Sequence, residues 1–436
     1  MPLLFFKIVM TNINLNIVEE LRNRGLLAQT AGEDGLENHL LSGSRIVYCG
    51  FDPTADSLHI GSLVPLLALK RFQLAGHKPI AVAGGATGMV GDPSFKSNER
   101  KLNSAEVTQA WTDSIKQQLE KFIDFDCGDN SALVVNNLDW TQNLDLISFL
   151  RDIGKHFSVN AMMQKESVKQ RIEREGEGIS FTEFAYSILQ SYDFAKLNEM
   201  YDCTVQLGGN DQWGNITAGI DLTRRLNKNQ VYGLTLPLIT KADGGKFGKT
   251  EEGTIWIDSA RTSCYAFYQF WINTADADVY NFLKYFTFLD VAEIDAIEEK
   301  DKNAQGRPEA QSILAREVTH LVHGEAGLEA AERISEALFS GDIFELTESD
   351  FEQLKQDGMP TSASSSASLP LVQALVDSEL ASSNKMAREF IGNGAVSVNG
   401  AKASDNAAEL DWNTALFGQY FLLKRGKKLF HLLYKA

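Results

Sequence analysis

The sequence is poor in cysteine, in positive charge and in long apolar runs. Its four cysteines, Cys49, Cys127, Cys203 and Cys264, stand far apart with no CxxC pair. That argues against a disulfide scaffold or a structural zinc site and points to a reducing, cytoplasmic setting. No stretch approaches the ~20 apolar residues of a membrane helix, so no membrane partner is expected. Asp and Glu number 58 against 41 Lys and Arg, a net charge of −17. At first sight this argues against nucleic acid. There is no internal repeat, no metal-ligand cluster, no GxGxxG and no P-loop. What is present, 44% hydrophobic and 23% charged residues over 436 positions, suits a soluble chain with a sizeable core and several domains.

Residues 1–9, MPLLFFKIV, lack the basic start and cleavage site of a signal peptide, and Met10 is expected to be the physiological start. An amphipathic helix follows, with Ile17, Val18 and Leu21 on its apolar face. Residues 10–250 alternate apolar runs with helical stretches, the pattern of an α/β parallel-sheet domain. Arg45–Tyr48, Pro79–Ala83, Thr204–Leu207 and Leu234–Thr240 read as strands, and Leu63–Ala75 as a helix. Residues 251–340 read as an α-helical domain. Residues 341–368, with six acids, one lysine and the run TSASSSAS, read as a flexible linker. Residues 369–436 read as a small α+β domain, with Asn399-Gly400 marking a type I′ hairpin.

Candidate chemistry sits at strand ends and helix starts. In YCGFDPTADSLHIGS, residues 48–62, a strand turns into a helix whose first N–H groups make an anion site. Gly61 permits close approach there, and His59 and Ser62 add donors. Taken alone, His59 reads better as a capping or core histidine, and Gly61 at this turn tips it toward function. The glycine-rich GGATGMVGDPSFKSNER, residues 84–100, offers Asp92 to an ammonium and Lys96 and Arg100 to phosphates. Ser180-Phe-Thr-Glu183 reads as a capping box opening a helix that carries Tyr186, Gln190 and Asp193 on one face, a polar stripe unlike a core. After the strand ending in Gly208-Gly209, Asp211 suits a ribose hydroxyl. KADGGKFGKT, residues 241–250, places Lys246 and Lys249 in a glycine-rich loop, where lysines can close on a polyphosphate.

HIGS at His59–Ser62 and KFGKT at Lys246–Thr250 resemble the HIGH and KMSKS motifs of class I aminoacyl-tRNA synthetases. With GGATGMVGDPS, GISFTEFAY, LQSYDF and GGNDQWGNIT, the chain closely resembles bacterial tyrosyl-tRNA synthetases from about residue 11 to its end. The resemblance implies a Rossmann-like catalytic domain, then an α-helical anticodon-side domain, then a small ribosomal-type RNA-binding domain. It implies L-tyrosine, ATP arriving with Mg²⁺, and tRNA(Tyr) as substrates, and a homodimer. By the same resemblance Tyr48 and Asp193 would bind the substrate phenol. Asp92, Tyr186 and Gln190 would hold its ammonium, with Gln212 nearby toward its carboxylate. Cys49, Gly50, Asp52, Thr54, His59, Gly61, Ser62, Gly209 and Asp211 would face ATP. Lys96, Arg100, Lys246 and Lys249 would hold the departing pyrophosphate. Lys385 and Arg388, at i and i+3 on a helix, would meet RNA. Ser62 stands where the family motif ends in histidine, and Thr250 where it ends in serine. A tryptophanyl-tRNA synthetase shares the general fold, but the Tyr48/Asp193 pair argues against it.

Overall fold

A run without polar alternation, such as PIAVA at 79–83, has to be covered on both faces. In the computed structural model it forms β3 (Lys78–Ala83), in which only Lys78 is partly exposed. The structure describes residues 16–32, 35–94, 104–173, 178–242, 244–245, 247–250, 253–306, 308–340 and 342–436. The expectations for residues 1–9 and Met10, and for Lys96, Arg100 and Lys246, fall outside them. The chain divides into two units, residues 1–257 with 274–314, and residues 258–273 with 315–436.

The first unit is built on a six-stranded sheet. β1 (Gln29–Ala31), β2 (Ile46–Phe51), β3, β4 (Leu133–Asn136), β5 (Cys203–Gly209) and β6 (Tyr232–Leu236) lie in the order β1-β6-β5-β2-β3-β4. β2 to β6 run parallel, and β1 joins the edge antiparallel to β6. The strand expected over 234–240 stops at Leu236, because Pro237 has no N–H to continue the ladder. β2 lies between β3 and β5, so the order reverses there and the carboxyl ends of β2 and β5 frame a crevice.

Helices cover both faces. α1 (Leu63–Leu74) follows β2 and is almost wholly buried. α2 (Phe181–Tyr201) leads into β5, and α3 (Trp213–Asn227) leaves it. α4 (Asp276–Phe286) packs on α1. Its carboxyl end is held by two buried arginines: Arg24 donates to the carbonyls of Lys284 (3.1 Å) and Leu289 (2.7 Å), and Arg71 to that of Thr287 (2.6 Å). These bonds satisfy carbonyls that a helix end leaves without partners. They tie residues 274–314 into the sheet unit, so the helical stretch expected as one domain over 251–340 is divided between the two units.

In the second unit a helix, Cys264–Ile272, and the later part of a long helix, broken at Gly324 (φ 71°), precede a five-stranded sheet. That sheet runs in the order Ala401–Lys402, Val396–Val398, Tyr420–Arg425, Leu429–Lys435, Thr361–Ser364. Asn399 and Gly400 adopt positive φ, 48° and 79°, as the hairpin signal requires. The segment expected as a flexible linker is built into the fold. Thr347 and Asp350 form a capping box, Asp350 pairs with Arg333 at 2.7 Å, and Thr361–Ser364 pairs parallel with Leu432–Lys435. Phe351 and Leu354 join a core with Ile334, Tyr420 and Leu432. Composition misled here because a few apolar residues carry the packing, and one of the acids, Asp350, is itself buried against Arg333.

Candidate active site

The carboxyl ends of β2 and β5 open into a cleft of about 430 Å³, placed where the strand order reverses. At its inner end Tyr48, from β2, is 2% exposed, and its hydroxyl has no hydrogen-bond partner among the described residues. Burial, then the neighbouring Asp193, push that phenol well above its ordinary range, so it stays a neutral O–H. Asp193, from α2, accepts from the indole of Trp140 at 2.8 Å and from the Asn137 amide at 3.0 Å. Burial pushes its carboxyl up to about 7, against the pull of those two donors.

The capping signal at Ser180 is half realised. Ser180 accepts the Glu183 N–H, but the Glu183 side chain turns inward to a buried ion pair with Arg171 at 3.0 Å rather than back to the cap. That pair fixes the start of the helix carrying Tyr186, Gln190 and Asp193, all three of which line the cleft. Tyr186 donates to Asp52 at 2.8 Å, and Asp52 also accepts from Thr87 at 2.6 Å. Asp52 thus lines the cleft but spends its carboxylate on holding Tyr186. Gln190 Oε1 is buried without a partner among the described residues. Asp92 accepts the side-chain N–H of Gln212 at 2.7 Å, and Gln212 also donates to Asp211 at 2.8 Å. Carboxylates and amide oxygens therefore converge on one end of the cleft, an arrangement suited to an ammonium group.

Cys49, Gly50, Thr54, Gly209 and Asp211 also line the cleft. Burial and the charge of Asp211 push the Cys49 thiol up to about 12, so it is neutral. His59 caps the turn Ile60–Ser62, its Nδ1 accepting the Gly61 N–H at 3.0 Å. The capping reading is correct, and it has a chemical consequence: a ring nitrogen that accepts keeps no proton, so neutral His59 carries its hydrogen on Nε2. A side chain on Gly61 would begin 2.8 Å from the His59 ring and displace the imidazole from its cap. Ser62 lines the cleft beside it.

The two signature segments meet. Ile60 N–H donates to Ile255 O at 3.1 Å, and Ile255 N–H donates to Gly248 O at 3.1 Å. The backbone of Lys249 pairs with Thr254 in a short hairpin next to the His59 turn. Residues that sequence reasoning missed include Asn137, Trp140, Thr87, Gln206 and Phe247. The first two follow β4, a strand the sequence reading did not recognise, and a polar pair at the carboxyl end of such a strand is the signal that could have found them.

Among the described residues no group of three His, Cys, Asp or Glu side chains gathers as a metal site, and no helix is long and apolar enough to cross a membrane. In the second unit Lys385 and Arg388 stand exposed on the helix Asn384–Gly392, whose Ala387 and Ile391 face the core.

Residues 42–340 match the family model of class I tRNA synthetases (W and Y), and residues 350–433 that of the tyrosine–tRNA ligase C-terminal domain. The chain is 65% identical over 416 residues to tyrosine–tRNA ligase of Aliivibrio fischeri, covering 95% of this chain and 98% of that protein. It is 60% identical over 418 residues to that of Escherichia coli O139:H28, covering 96% and 98%. A C-terminally truncated mitochondrial tyrosyl-tRNA synthetase of Aspergillus nidulans superposes with a TM-score of 0.66 at 31% identity, over 74% of this chain and 94% of that one. The chain belongs to the tyrosine–tRNA ligases, within the class I tRNA synthetases.

Proposed function

We propose that the chain activates L-tyrosine with ATP and passes it to the 3′-terminal adenosine of tRNA(Tyr). The observation that carries the reading is the inner end of the cleft, where an unpartnered buried phenol and a buried carboxylate wait for one small hydroxyl. A substrate phenol satisfies both; phenylalanine leaves both without a partner and is rejected, a behaviour for which tyrosyl-tRNA synthetases are themselves the standard example. The ammonium meets Asp92, Tyr186 and Gln190, with Gln212 nearby toward the carboxylate.

In the first step a tyrosine carboxylate oxygen attacks the α-phosphorus, the α–β bridging P–O bond breaks, and pyrophosphate leaves. The carboxylate is already ionised and the leaving group competent, so no general base is required. Alignment and charge on the departing phosphates supply the catalysis. Asp211, Gly209, Cys49, Gly50 and Thr54 receive the ribose side of ATP. His59, through Nε2–H, and the Gly61–Ser62 turn meet the phosphates. Lys96, Arg100, Lys246 and Lys249 take the pyrophosphate, with Mg²⁺ arriving on the triphosphate. In the second step a terminal ribose hydroxyl attacks the tyrosyl carbonyl and AMP departs.

Lys385 and Arg388 present a basic track to RNA. A homodimer is supported by the exposed apolar side chains Leu146, Ile147 and Phe181, which are 68%, 64% and 74% exposed. We assign the reaction to the cytoplasm, in keeping with four free thiols. Pyrophosphate exchange run with tyrosine, with tryptophan and with no amino acid tests the central reading. Exchange that depends on tyrosine alone supports it, and exchange indifferent to tyrosine overturns it.

A further inference from the structure

The glycine-rich segment 241–250 is held from one side by α4. Asp278, 8% exposed, accepts the Ala242 N–H on both carboxylate oxygens, at 2.9 and 3.2 Å. One turn on, Phe282 meets the Phe247 ring edge to face, with centroids 5.2 Å apart. One turn further, Phe286 stacks on the same ring at 5.1 Å and 19°. Spacing of i, i+4 and i+8 puts the three on a single face. On its other side the segment is tied to the His59 turn through Gly248, Ile255 and Ile60. The two sides are themselves joined. α1 starts at that turn, and its Arg71 donates to the Thr287 carbonyl just past the end of α4.

We propose that the Asp278–Phe282–Phe286 face of α4 is a positioning element for the activation step. It seats Phe247, the residue between the two lysine positions of KFGKT, and so sets where the Lys249 backbone lies beside the phosphate turn. None of the three lines the cleft, so each acts through the segment it holds. A lysine that must order itself against a transition state loses less freedom when its backbone is already fixed. The inference rests on the reading that Lys249 holds the departing pyrophosphate.

The test uses the full-length enzyme. Asp278→Ala removes both acceptor oxygens, Asp278→Asn keeps one, and Phe282→Leu keeps apolar bulk without the ring contact. The expected result is an ATP–pyrophosphate exchange kcat lowered at least about tenfold in Asp278→Ala and Phe282→Leu, a tyrosine KM within about twofold of the parent, and recovery of most of the rate in Asp278→Asn. Trypsin cleavage within residues 241–250, mapped by mass spectrometry, should speed up in the same two variants and not in Asp278→Asn. Unchanged kcat in both variants overturns the proposal, as does a loss that tracks a fall in thermal midpoint and is not rescued by asparagine. Lys249→Ala separates the layers. If it exchanges normally, the reading of the lysine fails. If it is inactive while the α4 variants are normal, only the present inference fails.

Discussion

In the proposed reaction Asp193 is the residue on which specificity turns, and its surroundings make two measurable demands. Its carboxyl titrates near 7 in the fold against 3.8 as its ordinary value, so the folded protein binds a proton that the unfolded chain has released. The resulting stabilisation is full below about pH 4 and is lost as pH rises through about 7. Asp193→Asn removes that dependence. The thermal midpoint of the parent should therefore fall relative to the variant between about pH 4 and 8, and parallel curves would refute the shift. The same carboxylate should be indispensable to the reaction: Asp193→Ala is expected to abolish or greatly weaken tyrosine-dependent exchange. Tyr48→Phe is a milder probe. Losing one buried hydrogen bond to the substrate should cost about 1–3 kcal/mol, about 5- to 150-fold in kcat/KM for tyrosine, while phenylalanine is affected far less. Steady-state exchange with both amino acids reads the difference. At this scale the sequence was informative where residues share one motif. Tyr186, Gln190 and Asp193 advertise themselves by helical spacing. Asn137 and Trp140 do not, because their contact with Asp193 is made across more than 50 residues of chain.

Among elements, α2 shows why motif chemistry and helix chemistry cannot be read apart. Glu183 looked like the second half of a capping box, yet its side chain is 1% exposed and faces Arg171, itself 5% exposed. A local pattern cannot reveal a partner brought in by tertiary packing. Removing one member leaves a buried charge uncompensated, so Glu183→Ala should lower unfolding free energy by about 3–5 kcal/mol. Replacing both, as Arg171→Met with Glu183→Leu, should cost much less. Urea unfolding of the two variants checks this, and equal losses would deny the pair its role. The central strands β2 and β3 were legible because double burial leaves their apolar runs unbroken by polar residues. β1 and β4, three and four residues long, carried too little pattern to be recognised.

At the scale of the whole molecule, net charge had suggested indifference to nucleic acid. Residues 369–436 carry eight basic and six acidic side chains, a local +2 inside a chain of −17, and the last thirteen residues hold five bases and no acid. A sum over the chain conceals such a patch. Lys385→Ala with Arg388→Ala should reduce tRNA charging several-fold at low salt and make it less sensitive to salt, leaving tyrosyl-adenylate formation unchanged. Aminoacylation and exchange assays on one preparation distinguish this from a general loss of activity. Cutting the chain at residue 369 would be a poorer test, because Tyr420, Leu422 and Leu432 complete the core around Ile334 and Phe351.

The strand Leu429–Lys435 lies between Tyr420–Arg425 and Thr361–Ser364, inside its sheet rather than at the edge. Synthesis on the ribosome proceeds from the amino end, so the first unit has all its strands and helices once residue 314 has emerged and can consolidate early. The second cannot. Its helices and the strand 361–364 wait with apolar faces uncovered until Leu429–Lys435 leaves the exit tunnel, which makes that wait the interval in which this chain is most exposed to misassociation.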